Sequence, residues 1–206
     1  MWDASFRQGV LDWLAANVPA SRLNHILRVE AMAVELAVQH GLNVDQAAQS
    51  GLMHDLAKYF KPERLLKMAR SADIELDPIL VDNPHLLHAD ISAIVAQNEF
   101  GVVDEAVLQA IRHHTLGQPE MPPLSCVVYL ADSLEPGRGD NPALQSLRQI
   151  SRENLYQGVW LTAEASMELL FGRRCLIHPR TIATRNWAMQ VTGKTPTVAV
   201  KAENQR

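Results

Sequence analysis

The chain has 206 residues, of which 47% are hydrophobic and 20% are charged, and its formal net charge is −4. This composition is typical of a globular protein and excludes intrinsic disorder. The acidic balance, with a pI near 6.0, supplies none of the positive field that nucleic-acid binding needs, so no nucleic acid is expected as a partner.

Membrane and secretory features are missing from the sequence. No apolar run reaches the roughly 20 residues that cross a bilayer, so no membrane partner is expected. The N-terminal segment MWDASFRQGV lacks the basic start and the apolar stretch of a signal peptide, which makes the cytoplasm the expected compartment. The two cysteines form no CxxC pair and no disulfide framework, and Cys126 is expected to be a buried thiol rather than a nucleophile.

Apolar residues recur at helical spacing, and no convincing stretch alternates with the period of two that a strand requires. We therefore predict an all-α fold, a single compact helical bundle of about eight to nine helices. Ser21 is predicted to cap the second helix, Gly41 to end it, and Gly158 to mark a bend in the eighth. In chain order the predicted helices span about 5–17, 21–40, 44–58, 62–69, 84–100, 104–114, 124–135, 142–171 and 179–191.

The strongest local motif is GLMHDLAK at residues 51–58. It places the adjacent pair His54 and Asp55 in an otherwise apolar helical segment. Burying an ionised carboxylate is costly unless a cation or hydrogen bonds compensate it, so a cation is expected at this pair. Lys58 follows at helical spacing on the same predicted face, where it can reach an oxyanion bound there.

Further candidate ligands lie elsewhere in the chain. His25, on the second helix, and Asp132, after the apolar run 124–130, complete a set of two imidazoles and two carboxylates. This set favours iron, manganese or a related divalent ion over zinc. Four protein ligands leave two positions of an octahedral ion for water or substrate. His88 and His114, at helix ends, could hold a second metal ion or bind phosphate oxygens, and the sequence leaves both options open.

The order of these residues resembles that of the HD superfamily. The segments GLMHDLAK, LLHA, AIRHHTLG and YLADSLEPGR are similar to those of the YqeK family, and the similarity extends from about residue 21 to residue 186. Members of this family are symmetrical bis(5'-nucleosyl)-tetraphosphatases, which split diadenosine tetraphosphate into two molecules of ADP. The resemblance therefore implies a helical HD fold with an iron site and a dinucleoside polyphosphate substrate.

The resemblance also implies roles for individual residues. His25, His54, Asp55 and Asp132 are expected to bind the metal ion. The residues expected to contact the nucleotide phosphates are Arg22, Lys58, His88, His114, Thr115, Asp132 and Arg138. The predicted catalytic residues are Asp55, Lys58, His88 and His114. The sequence departs from the family pattern in two places. Ala89 replaces the usual glycine, and His113 and Leu116 are less usual residues in the AIRHHTLG segment. Both departures bear on substrate fit more than on metal binding.

The expected HD domain covers residues 1–192, with its core at about 21–140, and a polar tail follows at 193–206. Glu135 is interpreted as structural, with a hydrogen bond that orients a ligand. Two alternative functions are kept: an HD-type nucleotidase or phosphodiesterase acting on another nucleotide, and a non-catalytic helical scaffold that senses a nucleotide. The sequence does not fix the metal's identity, the number of ions, the base preference, or whether the chain forms a homodimer.

Overall fold

The computed structural model describes residues 2–193. This part of the chain contains eleven α-helices and two short 3-10 turns, connected by loops. The helices are α1 (Ala4–Asn17), α2 (Ala20–Gln39), α3 (Val44–Met53), α4 (Pro62–Ser71), α5 (Pro78–Asp82), α6 (His88–Phe100), α7 (Glu105–His113), α8 (Pro123–Leu134), α9 (Pro142–Glu153), α10 (Leu155–Gly172) and α11 (Pro179–Val191). The 3-10 turns are Pro84–Leu87 and Pro136–Arg138. No strand occurs within these residues, which confirms the all-α prediction.

The helix count within the described residues exceeds the predicted eight to nine for two reasons. The link after α4 contains the short helix α5, which the side chain of Asp77 caps. The predicted helix 142–171 is divided by Asn154, whose extended backbone ends α9 and whose side chain caps α10. This interruption at Asn154 lies four residues before the bend predicted at Gly158. A Cβ at this position would lie 2.5 Å from Ser151 Oγ, so glycine allows α9 and α10 to approach closely.

Helix α2 begins one residue before its predicted cap. Its first residue is Ala20, and Pro19 precedes it without any side-chain cap, so the prediction that Ser21 caps this helix is wrong. The other end follows the prediction. Gly41 has a φ of +65°, a left-handed conformation that glycine adopts without strain, and the helix stops just before it.

Helices α2 and α3 form the most extensive helix pair. The inward stripe of α2 is fully buried and consists of Val29, Ala33, Leu36 and Ala37. A Cβ added to Gly51 of α3 would lie 2.9 Å from Glu30 Cα of α2, so only glycine permits the observed contact. Because His25 lies on α2 and His54 directly follows α3, this contact brings the two imidazoles to the same side of the helix pair.

Helix α8 lies inside the molecule, where it packs against α2, α3, α7 and α10. Every residue from Leu124 to Ala131 is buried, as expected for a helix that is apolar on all sides. Burial raises the pKa of the Cys126 thiol to about 12, which confirms the prediction of an inert buried cysteine. The helix carries Asp132 out of this apolar interior near its C-terminal end.

The predicted tail lies outside the described residues except for its first residue, Gly193. The division into a domain of residues 1–192 and a tail therefore stays a prediction. Within residues 2–193, none of the helices combines the length and the apolar character that crossing a membrane requires.

Candidate functional site

Five segments, each ending or beginning near the same point, bring the predicted ligands together. His25 lies on α2, His88 is the first residue of α6, and Asp132 lies near the end of α8. His114 directly follows α7. The remaining two candidates, His54 and Asp55, follow α3, and the carboxylate of Asp55 lies at the centre of the cluster.

The turn after α3 differs from the prediction. The helix ends at Met53, so His54, Asp55 and Lys58 lie in the following turn rather than in the last turns of the helix. Lys58 nevertheless reaches the cluster, because its Nζ lies 3.1 Å from His88 Nε2. The predicted proximity of these residues is observed, but the chain achieves it by a turn and not by a shared helix face.

Oxygen Oδ2 of Asp55 faces one group of ligands. It lies 3.3 Å from His54 Nε2 and 4.0 Å from His25 Nε2. Oδ1 of Asp132 lies 3.1 Å and 3.9 Å from the same two imidazole nitrogens of His25 and His54. The four residues to which the sequence assigns metal binding therefore meet around one point.

Oxygen Oδ1 of Asp55 faces a second group. It lies 3.2 Å from His88 Nε2 and 3.7 Å from His114 Nε2, and these two nitrogens are 3.1 Å apart. The hydroxyl of Thr115 lies 3.1 Å from His88 Nε2 and 2.9 Å from His114 Nε2. Asp55 thus bridges two clusters through its two oxygens.

All four imidazoles are oriented in the same way, with Nδ1 fixed by an oxygen and Nε2 directed at the centre. The Nδ1 contacts are His25 to Glu135 Oε1 at 2.9 Å, His54 to Gly51 O at 2.7 Å, His88 to His85 O at 2.6 Å and His114 to Ile111 O at 2.8 Å. A carbonyl or carboxylate oxygen accepts a hydrogen bond, so each Nδ1 carries the proton. Each Nε2 is then left to bind a metal ion or a second proton.

The cluster leaves several buried polar atoms unsatisfied. His25 Nε2, His54 Nε2 and Asp55 Oδ1 are buried and have no hydrogen-bond partner. Such atoms are costly in the interior of a protein unless a partner compensates them. The ligand atoms of His25, His54 and Asp55 lie within 4.8 Å of one another, as do those of Asp55, His88 and His114, which suits a divalent ion with imidazole and carboxylate ligands. The residues therefore fit a divalent metal ion.

The charge states agree with this fit. Burial lowers the pKa of His88 to about 4, so its imidazole is neutral near pH 7, the form that binds a metal ion. Burial also acts to raise the pKa of Asp55 and Asp132. The neighbouring imidazoles, His54 for Asp55 and His25 for Asp132, outweigh burial and hold both pKa values well below the usual range. Two ionised carboxylates in this enclosed space require positive charge.

Three cationic side chains surround the two carboxylates. Arg22 Nη1 donates a hydrogen bond to Asp55 Oδ2 at 3.0 Å. Arg138 donates to Asp132 Oδ1 at 2.6 Å and to the backbone oxygen of the same residue at 2.8 Å. With Lys58, these groups place positive charge on the solvent side of the cluster, where an anionic substrate would approach.

Glu135 holds His25 in place. The carboxylate is buried, and while one oxygen receives the hydrogen bond from His25, the other accepts from Arg28 and from the backbone N–H of Gly137. Burial acts to raise the pKa of Glu135. The hydrogen bonds from Arg28 and His25 outweigh burial, so the pKa of Glu135 lies below its ordinary value. Sequence reasoning missed Arg28, although its position three residues after His25 places both on one face of α2.

Comparison with known proteins assigns this fold and site to a class. The HD domain family matches residues 22–137, which is more than half of the chain and includes every candidate ligand from His25 to Asp132. The helical fold, the adjacent His54 and Asp55, and this match together define an HD-domain protein.

Relatives of similar length narrow the class. The symmetrical bis(5'-nucleosyl)-tetraphosphatase of Bacillus subtilis (strain 168) is 33% identical over 181 residues, 88% of this chain and 96% of the relative. A protein of the same description from Halalkalibacterium halodurans is 31% identical over 180 residues, 87% and 95% of the two chains. The chain belongs to the family of symmetrical bis(5'-nucleosyl)-tetraphosphatases.

A solved structure supports the fold independently. The crystal structure of a predicted HD superfamily hydrolase involved in NAD metabolism, from Clostridium acetobutylicum, superposes with a TM-score of 0.86. It is 30% identical, and the match covers 93% of this chain and 99% of that one. The similarity therefore includes α9–α11 as well as the segment that the HD family matches.

Proposed function

We propose that this protein hydrolyses diadenosine tetraphosphate symmetrically, with water, to two molecules of ADP in a metal-dependent reaction. The similarity to two symmetrical tetraphosphatases over nearly the whole chain supports this activity. The observation that carries the proposal is the convergence of four imidazole Nε2 atoms on the bridging carboxylate of Asp55. A non-catalytic scaffold would not require that arrangement beside three cations.

The metal assignment follows the two sides of Asp55. His25, His54, Asp55 and Asp132 would hold one ion, and their imidazole nitrogens and carboxylate oxygens suit iron, manganese or a related divalent ion. Iron is our preferred identity because the resemblance to the family implies it. His88 and His114 would hold a second ion together with the other oxygen of Asp55, or would themselves bind a phosphate oxygen. A bound divalent ion supplies Lewis acidity, which lowers the pKa of water and polarises a phosphoryl oxygen.

The protein's own residues bind and orient the tetraphosphate. Lys58 offers a point charge, and Arg22 and Arg138 offer planar groups that match phosphate geometry. Each of these arginines uses only part of its five N–H donors on a carboxylate, so further donors are available for phosphate oxygens. Thr115 adds a hydroxyl beside His88 and His114.

Charge develops on the leaving ADP as the bond between the second and third phosphates breaks. Lys58, Arg22 and Arg138 would offset this charge, which is the largest contribution that fixed cations make to phosphoryl transfer. Protonation of the leaving oxygen by His88 or His114 contributes little, because ADP is a good leaving group and burial keeps His88 neutral.

The direct test is product analysis with the protein as purified, without added metal. Diadenosine tetraphosphate should yield ADP alone, and elemental analysis should find iron. Products of AMP and ATP would contradict symmetrical cleavage. Hydrolysis of other nucleotides in preference to diadenosine tetraphosphate would favour a different HD nucleotidase or phosphodiesterase, and binding without turnover would favour a nucleotide-sensing scaffold. That the protein forms a homodimer stays a prediction, which measurements of molecular size in solution would test.

A further inference from the structure

A buried arginine outside the metal-binding cluster holds the backbone of the turn that follows α8. Arg148 lies on α9, and its relative solvent exposure is only 9%. Its Nε donates a hydrogen bond to Leu134 O at 2.7 Å. Its Nη2 donates to Gly139 O at 2.7 Å and to Glu135 O at 3.2 Å. A single guanidinium therefore binds the chain on both sides of the 3-10 turn Pro136–Arg138.

The end of α8 is a place where a guanidinium is well suited. Leu134 is the last residue of this helix, and the last carbonyl groups of an α-helix have no partner within it. A positive charge is also favourable at a helix C-terminus. Because the planar group of an arginine presents five donors in a fixed arrangement, it can bind several carbonyl groups at once. The contacts of Arg148 therefore satisfy these carbonyl groups and fix the position of the turn.

The nearby carboxylate does not account for the burial of this charge. Arg148 Nη1 lies 3.2 Å from Asp140 Oδ1, but the side chain of Asp140 is 79% exposed. An ion pair with an exposed carboxylate contributes little, whereas the removal of a guanidinium from water is costly. The three backbone carbonyl groups are therefore the main partners of Arg148, and its burial serves the turn rather than an ion pair.

The segment that Arg148 binds carries two side chains of the candidate site. Glu135 Oε1 accepts a hydrogen bond from His25 Nδ1 at 2.9 Å and so orients this imidazole. Arg138 donates to Asp132 Oδ1 at 2.6 Å and has further donors for phosphate oxygens. Among the described residues, none of the hydrogen bonds of Arg148 reaches a candidate ligand. Any influence of Arg148 on the site must therefore pass through the turn.

We propose that Arg148 is a positioning residue, which acts on metal binding through Glu135 and on phosphate binding through Arg138. The inference rests on the proposed function, because it concerns how the same site is assembled. Without the guanidinium, the turn loses the bonds that fix it to α9. Glu135 then orients His25 less well, and the donors of Arg138 are no longer held in place for phosphate. The affinities for metal and for phosphate should therefore fall together.

Two binding measurements that need no turnover test this role. Arg148→Met keeps an unbranched apolar side chain but removes every donor. It should lower metal affinity by about fivefold in competition with a chelator, in line with the loss of a group that supports a ligand. At saturating metal, it should also weaken pyrophosphate binding by about fivefold in calorimetric titration. Arg152→Met is the matched control on the same helix, because Arg152 forms a partly exposed ion pair with Glu35, and both affinities should stay at the wild-type level.

Double-mutant cycles separate positioning from a general loss of stability. In a protein that already carries Glu135→Ala, Arg148→Met should cause little further loss of metal affinity, because its effect passes through Glu135. In a protein that carries Arg138→Ala, it should cause little further loss of pyrophosphate affinity for the same reason. Additive losses in either cycle would overturn the inference, as would wild-type affinities in the folded Arg148→Met protein.

Arg148→Lys replaces the methionine variant in both cycles if that variant does not fold. Lysine keeps the charge but lacks the planar arrangement of donors, so each affinity should fall by a smaller factor, about threefold. Wild-type affinities in the folded lysine variant would also overturn the inference. Neither measurement depends on hydrolysis, so a protein that binds metal and pyrophosphate as expected but leaves diadenosine tetraphosphate intact would contradict the proposed function alone.

Discussion

The two sides of Asp55 present similar imidazoles but different charges. On the Oδ2 side, a second carboxylate, that of Asp132, lies beside His25 and His54. On the Oδ1 side, His88 and His114 are joined by the ammonium group of Lys58 and a hydroxyl group, with no further carboxylate. Because carboxylates strengthen the binding of a divalent ion and a cation weakens it, we expect the Oδ2 side to bind the proposed metal ion more tightly.

The largest effect is expected from removing the residue that both sides share. Asp55→Ala should abolish both metal binding and turnover, because the variant loses one carboxylate oxygen from each cluster. Metal content by elemental analysis and hydrolysis of diadenosine tetraphosphate are the measurements. Asp82→Ala, at an exposed position on α5, should leave both unchanged. An Asp55→Ala protein that kept its full metal content would refute the bridging role.

Paired histidine variants compare the two sides directly. His25→Ala should remove the ion of the Oδ2 side and with it nearly all activity. His88→Ala should keep that ion and lower kcat by about 10³-fold, in the range seen when a group that stabilises the transition state is lost. Elemental analysis of both variants, purified in parallel, gives the comparison. Equal metal loss in the two would show that the sides are not distinct.

A smaller effect is expected from Lys58, which contacts the Oδ1 side without being a ligand. Lys58→Ala should lower kcat by about 10²-fold, because one cation near the leaving phosphate is lost, while metal content stays at the wild-type level. Lys61→Ala changes an exposed lysine three residues further on and serves as the control. A Lys58→Ala protein without metal would show that the ammonium group supports the metal site instead.

The smallest effect is expected from Glu135, which acts on the Oδ2 side through His25. Glu135→Gln retains the shape of the side chain but removes the charge that raises the basicity of the imidazole, so metal affinity should fall by about tenfold. Competition with a chelator measures it. Glu105→Gln changes an exposed glutamate in a surface ion pair and should have no effect. If Glu135→Gln lowered metal affinity more than His25→Ala does, this order of effects would be contradicted.

Much of the fold follows from local sequence. Helix α11 has its predicted bounds because Pro179 begins it and His178 caps it. The five residues of α5 are too few to show helical periodicity, and Asn154 gives no stronger signal than many asparagines in loops. The close contact of Gly158 with Ser151 on a neighbouring helix is a different case, because the local pattern does not reveal contacts between helices.

The site could be predicted only in part. Residue order and motif wording identified the ligand candidates, and the structure brings those residues together. The hydrogen bond between Glu135 and a ligand was predicted and is observed, but the sequence did not identify His25 as that ligand, because the two residues lie 110 positions apart.

The contact between α2 and α3 at Gly51 has a consequence for the ligands themselves. Glu30, whose backbone faces this glycine, is held by two hydrogen bonds from Arg7 of α1, so α2 has little freedom to move away. An added methyl group would have to separate the two helices and, with them, His25 from His54. The distance between these two candidate ligands therefore depends on Gly51, a residue that is not itself a candidate ligand.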